Sequence, residues 1–103
     1  MTTSKVYVVQ EVPGRNLSSA QDFGQLQLML RTGQTFLDPD HTVKVLHRHL
    51  HKYTSDDYIL LIGDPVAIGI ATALASHYNN GHVNVLKWDR QYQLYNEVRL
   101  IIR

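Results

Sequence analysis

The sequence predicts an α/β fold: a mixed sheet of four or five strands with two helices, in the order β-β-α-β-α-β-β, closing in a C-terminal hairpin. Three observations carry that prediction. Residues 58–62, Tyr-Ile-Leu-Leu-Ile, form an unbroken apolar run of strand length, as expected of a central strand covered on both faces. Gly63-Asp64-Pro65 then leads into a long stretch of small apolar residues, which reads as a strand-to-helix turn with Asp64 as cap and Pro65 in the first helical turn. Near the C-terminus, two strand-like runs flank Asp89-Arg90-Gln91, the pattern of a hairpin.

The remaining elements follow from local chemistry. Residues 5–12 are β-branched and aromatic and stop at Pro13-Gly14, which predicts a first strand and a turn. Leu26, Leu28 and Leu30 alternate with Gln25, Gln27 and Met29, favouring a second strand that Gly33 breaks. Asp38-Pro39-Asp40 opens a helix of roughly four turns, with Val43, Leu46, Leu50 and Tyr53 as its apolar stripe toward the sheet. The second helix is expected over 66–79. Its Ala67, Gly69, Ala71, Ala73 and Ala75 predict close approach and burial of nearly every face, and Asn79-Asn80-Gly81 its stop. Val83, Val85, Leu86 and Trp88 make one strand of the hairpin, and 92–102 the returning one. Right-handed β-α-β crossovers set the helices against a sheet that is parallel in its middle.

Composition excludes several classes of function. The 103 residues are expected to form one domain, 1–103. Ten Lys and Arg against nine Asp and Glu leave a formal charge of +1, so electrostatic recognition must be local. Protonating all six histidines on top of that +1 gives +7 in mild acid. With no cysteine, disulfides and thiolate metal sites are excluded. The N-terminus lacks the pattern of a secretory signal. The apolar stretch 58–75 is interrupted by Gly63-Asp64-Pro65, so no membrane span is expected.

Four constellations bear on function. His41, Lys44, His47, Arg48, His49, His51 and Lys52 crowd into the first helix. Lys44, His47, Arg48, His51 and Lys52 are the candidates for contact with an acidic protein or with nucleic acid, against the plainer reading of a solvated face. His47 and His51 are four residues apart, but two imidazoles do not make a metal site. No metal and no cofactor is implied. Trp88, Arg90 and Tyr92 at the hairpin, with Tyr95, suit a protein interface or self-association through the hairpin edge, although such aromatics also wall a core. Gly63 and Asp64 are the candidates for a small-ligand or nucleotide pocket at the carboxyl ends of the strands. Asp64 and Pro65 both weaken an anion site there, by adding charge and removing a donor. No catalytic residues are assigned: there is no nucleophile elbow, and Asp56 and Asp57, adjacent in sequence, point apart on a strand.

Val6-Tyr7-Val8-Val9-Gln10-Glu11, Asp56-Asp57-Tyr58 through Gly69, and Leu86-Lys87-Trp88-Asp89-Arg90-Gln91 together resemble a group of small proteins encoded by tailed bacteriophages, including phages of aquatic bacteria. The similarity spans most of the chain and brings no settled activity with it. The histidine-rich helix lies outside the pattern that carries it. The resemblance implies a viral protein at work in the host bacterial cytoplasm. The expectation is a non-enzymatic accessory protein that binds a host or phage macromolecule, as a monomer or a homodimer. The alternatives are a ligand module at Gly63-Asp64-Pro65 and nucleic-acid binding through the basic helix at 40–53.

Overall fold

A computed structural model describes residues 3–33 and 38–102. Its elements are β1 (Lys5–Gln10), a short 3-10 turn (Ser18–Asp22), β2 (Gln25–Leu30), α1 (Pro39–Leu50), β3 (Tyr58–Leu60), α2 (Pro65–Tyr78), β4 (His82–Asp89) and β5 (Leu94–Ile101). The sheet order is β2-β1-β3-β4-β5. β1 runs parallel to both β2 and β3, β3 is parallel to β4, and β5 returns antiparallel. The predicted order of elements, mixed sheet and hairpin are therefore present.

The pleat divides the core in two. On one face Tyr7, Val9, Ile59, Val83 and Val85 meet Leu46 and Leu50 of α1 and Ala67, Ala71 and Ala75 of α2. Alanine at every fourth position gives α2 a flat contact stripe, so its backbone can lie close to the strands. On the other face Val6, Val8, Leu60, Ile62, Leu86 and Tyr95 are covered by the segment between β1 and β2, which contributes Ala20, Leu17 and Phe23. That segment, which has no apolar periodicity, thus covers the middle of the second sheet face.

Helix ends follow the expected chemistry. Asp38 accepts from the His41 amide at 3.0 Å, and Asp64 from the Val66 amide at 2.8 Å. Asn80 and Gly81 take positive φ values of 58° and 87° beyond α2, and the Gly81 amide closes on Ser76 O at 2.8 Å.

Four expectations are corrected. The buried stripe of α1 is Thr42, Leu46 and Leu50; Val43 is 37% exposed. Thr42 is tolerated inside because its hydroxyl donates to Asp38 O at 2.9 Å. α2 buries only one side, leaving Val66, Gly69, Ala73 and His77 exposed, because no layer lies above it. The central strand is shorter than its apolar run: the Ile62 amide turns back to Leu60 O at 2.9 Å, which ends the ladder. The returning hairpin strand begins at Leu94, so Tyr92 sits in the turn.

A polar node joins the amino ends of the strands. Asp57, buried, accepts from the Lys5 amide at 2.9 Å, the Thr54 amide at 2.9 Å and the Thr54 hydroxyl at 3.0 Å. The Tyr53 hydroxyl accepts from the Asn84 amide at 2.9 Å and donates to Asp57 O at 3.1 Å. Burial pushes the Tyr53 pKa up to about 12; the Asn84 hydrogen bond opposes this shift and the Asp57 charge adds to it. The neighbouring Tyr7 hydroxyl is buried without a hydrogen-bond partner among the described residues.

Two tyrosine variants are expected to part company. Tyr53→Phe strands a buried amide and costs about 1–3 kcal/mol, whereas Tyr7→Phe removes an unsatisfied hydroxyl and is neutral or stabilising by up to about 1 kcal/mol; urea denaturation measures both. Because the folded pKa of Tyr53 is raised, its protonation stabilises the fold fully below the unfolded value near 10. That contribution is lost as pH climbs from there toward about 12. Tyr53→Phe is expected to flatten this alkaline limb.

Candidate binding surface at the carboxyl edge of the sheet

The strand order places a topological switch point between β1 and β3, where connections depart to opposite sides and many α/β proteins hold a ligand. Gln10 ends β1 at this place and is buried. Its Oε1 accepts from the Asp64 amide at 2.7 Å and its Nε2 donates to Arg31 O at 3.0 Å. Gly63 crosses directly over it: with φ of +117°, a Cβ at Gly63 would stand 2.4 Å from Gln10 Cβ. Gly63 and Asp64 thus lie at the expected edge, but the crevice is filled by Gln10. The Asp64 amide and carboxylate serve this clamp and the α2 cap.

The hairpin end presents a different surface. Trp88 meets Tyr95 edge to face, with centroids 4.9 Å apart and planes at 65°. Tyr95 is buried; its hydroxyl donates to Asn16 O at 3.4 Å and its amide to Ser19 Oγ at 3.2 Å. Asp89 organises the turn, with Oδ1 accepting from the Gln91 and Tyr92 amides at 2.9 and 3.2 Å and Oδ2 from Asn96 at 2.9 Å. These bonds, led by that of the Tyr92 amide, hold the Asp89 carboxyl below its usual range. The turn projects Tyr92, 68% exposed, beside exposed Arg90.

Trp88, half-buried, stands between two grooves. One, of about 340 Å³, is lined by Gly14, Arg15, Asn16, Trp88, Gln93 and Tyr95. The other, of about 510 Å³, is lined by Lys87, Trp88, Asp89, Arg90, Asn96 and Val98. Three cations, Arg15, Lys87 and Arg90, therefore border one aromatic ridge. Arg15, Asn16 and Gln93 carried no sequence signal, since only the wrapping of the β1–β2 connection brings them to Trp88. Gln10 did carry one, as a polar residue closing a β-branched run.

Lys44, His47 and Arg48 on α1 and His51 and Lys52 in the turn that follows are all exposed; the helix expected to reach residue 53 ends at Leu50, with His51 as its C-cap. They are not joined to the hairpin residues: α1 packs over β2 at one edge of the sheet, while β5 forms the other. The His47 ring meets the Tyr78 hydroxyl, and His51 Nδ1 donates to Arg48 O at 2.7 Å. Among the described residues no group of three or more His, Asp or Glu is placed to hold a metal ion. His49 turns inward to Gln27, at 2.8 Å, and burial, then the Arg48 and Lys52 charges, lower its pKa.

Gly63→Ala is expected to destabilise by about 2–4 kcal/mol, from positive φ and collision together. Adding Gln10→Gly removes the Cβ it strikes, so the double variant is expected to lose less than the sum of the single losses; thermal unfolding of the cycle tests this. The lowered His49 pKa stabilises the fold above the unfolded value near 6.5. That contribution is lost as pH falls through the folded pKa, and His49→Gln is expected to blunt the acid limb of stability.

Comparison with known proteins adds one match. The family model described as Phage Pam3 gp32-like protein covers residues 4–102. No curated protein and no solved structure matched. Among the described residues no helix is long and apolar enough to cross a membrane.

Proposed function

Because the chain belongs to the Phage Pam3 gp32-like protein family and is therefore a phage protein, we propose that it is a non-enzymatic accessory protein that binds a host or phage protein in the infected bacterial cytoplasm. The observation that carries this reading is the hairpin end. Trp88 divides two grooves there, Tyr92 projects into solvent, and Arg15, Lys87 and Arg90 border the ridge. Aromatic side chains beside arginine supply much of the energy of protein interfaces, and an acidic or mixed partner surface suits these cations. Asp89 fixes the turn before binding, so little order has to be acquired on association.

A second reading is nucleic-acid binding through α1, favoured by the exposure of Lys44, His47, Arg48, His51 and Lys52 on one helix and the turn that follows it. A ligand pocket at Gly63-Asp64 is less favoured, since Gln10 occupies the crevice.

Pull-down from infected cells at two salt concentrations, with and without nuclease, separates these readings. Under the leading one a specific protein survives nuclease treatment. The double variant Arg90→Glu/Tyr92→Ala is expected to weaken its capture at least tenfold, about 1.4 kcal/mol, while Lys44→Glu/Arg48→Glu leaves it intact. Nuclease-sensitive, steeply salt-dependent capture lost in Lys44→Glu/Arg48→Glu would transfer the function to α1.

A further inference from the structure

We propose that β5 is a self-association edge on which two copies of the chain join antiparallel about a two-fold axis at Val98, extending the sheet to ten strands. β5 is eight residues long, and among the described residues β4 is the one strand that pairs with it. The direction of its backbone groups is set by two hydrogen bonds. The Ile102 amide donates to Gly81 O at 2.7 Å, so even-numbered positions face β4. The Tyr95 amide donates to Ser19 Oγ at 3.2 Å, so odd-numbered positions face away. Glu97, Arg99 and Ile101 therefore aim their N–H and C=O groups outward.

Such an edge is commonly protected by charged side chains, lysine above all, by proline or by a bulge. β5, Leu-Tyr-Asn-Glu-Val-Arg-Leu-Ile, has no lysine, proline or bulge, pairs without interruption, and carries one acid and one base, Glu97 and Arg99. Three of its apolar residues are open: Val98 is 39%, Leu94 38% and Ile101 59% exposed.

Charge identifies the occupant as a second copy. Glu97 and Arg99 share one face of the strand, two residues apart; Arg99 Nε lies 3.1 Å from Glu97 Oε2 within the chain and the Glu97 carboxylate also meets the Tyr58 hydroxyl, so the joint exchanges this internal ion pair for two reciprocal ones. Hydrogen-bonded pairs across the new edge must join odd position to odd position. With the axis at Val98, Glu97 opposes the partner's Arg99 and Arg99 opposes the partner's Glu97, and each pair can exchange both main-chain hydrogen bonds. On the opposite face Val98 meets the partner's Val98. Moving the axis by one residue sets like charges together, Arg99 on Arg99 or Glu97 on Glu97, which is unfavourable for directly opposed residues. The edge is thus self-complementary in one register. Ser19 closes the ladder at Tyr95, so the shared segment is centred on 97–99. β2 at the other edge, Gln-Leu-Gln-Leu-Met-Leu, has no charge with which to fix a register.

Analytical ultracentrifugation of the whole chain tests this. The wild type is expected to sediment as a concentration-dependent dimer. Glu97→Arg and Arg99→Glu are each expected to weaken association at least about tenfold, by opposing like charges. The swap Glu97→Arg/Arg99→Glu recreates the reciprocal pairs and is expected to return association to within about threefold of wild type. Unchanged thermal unfolding confirms that each variant keeps its fold; a variant that unfolds is replaced by Arg99→Gln, which removes the opposed charge and is also expected to weaken the dimer. A wild type that stays monomeric, single variants that dimerise normally, or a swap that fails to restore the dimer would each overturn the proposal. Partner capture through Arg90 and Tyr92 is measured separately, so either idea can fail alone.

Discussion

The buried Asp57 carboxylate is the constraint on which the sheet depends. The four parallel strands cannot be joined by tight turns, so their relative heights must be set by something other than a hairpin. Asp57 does this at the amino ends by holding the start of β1 through the Lys5 amide and the α1–β3 connection through Thr54. Tyr53 extends the same fixation to β4 through Asn84. A buried carboxylate is costly unless its oxygens are occupied, and here both are. The node therefore selects one strand alignment, since slipping any of these strands would leave a charge in the core without its donors.

At the opposite end Gln10 performs a comparable task with a neutral side chain. By bonding both Asp64 and Arg31 O, it ties the strand-to-helix turn to the end of β2 across β1. The crevice that this strand order leaves open in many proteins is closed by the chain's own amide, and Gly63 lies so near that no side chain fits between them. Open grooves lie instead at the rim, where the hairpin and the β1–β2 connection meet.

Much of this architecture was legible because it rests on local chemistry. The caps at Asp38 and Asp64, the stop at Asn80-Gly81 and the apolar centre at 58–60 need only neighbours in sequence. Legibility failed where the outcome depends on what lies across space. Val43 and Thr42 are adjacent, and only the position of β2 decides which faces inward. The burial of α2 was overestimated because a stripe of alanines reads alike whether one layer or two lie against it. Tyr92 reads as strand by propensity, but Asp89 captures its amide and lengthens the turn. In the candidate site, Trp88, Arg90 and Tyr92 stood out as aromatic and charged residues. Arg15 and Asn16 could not, because their place beside Trp88 is made by a segment with no periodicity of its own.

The two edges of the sheet divide the chain's chemistry. α1 over β2 gathers cationic residues, yet the whole molecule carries only +1, so the balancing acids lie elsewhere and the field is local. At the other edge charges of both signs are interspersed with aromatics at the hairpin, where Arg15, Lys87 and Arg90 flank Asp89, and they alternate as Glu97 and Arg99 on β5. A dense cationic ridge attracts polyanions with little regard to sequence or shape. A few charges among apolar and aromatic groups discriminate by register, because each must find one opposite number. On the proposed reading the hairpin side therefore suits a specific protein partner, whereas the chemistry of α1 suits a polyanion.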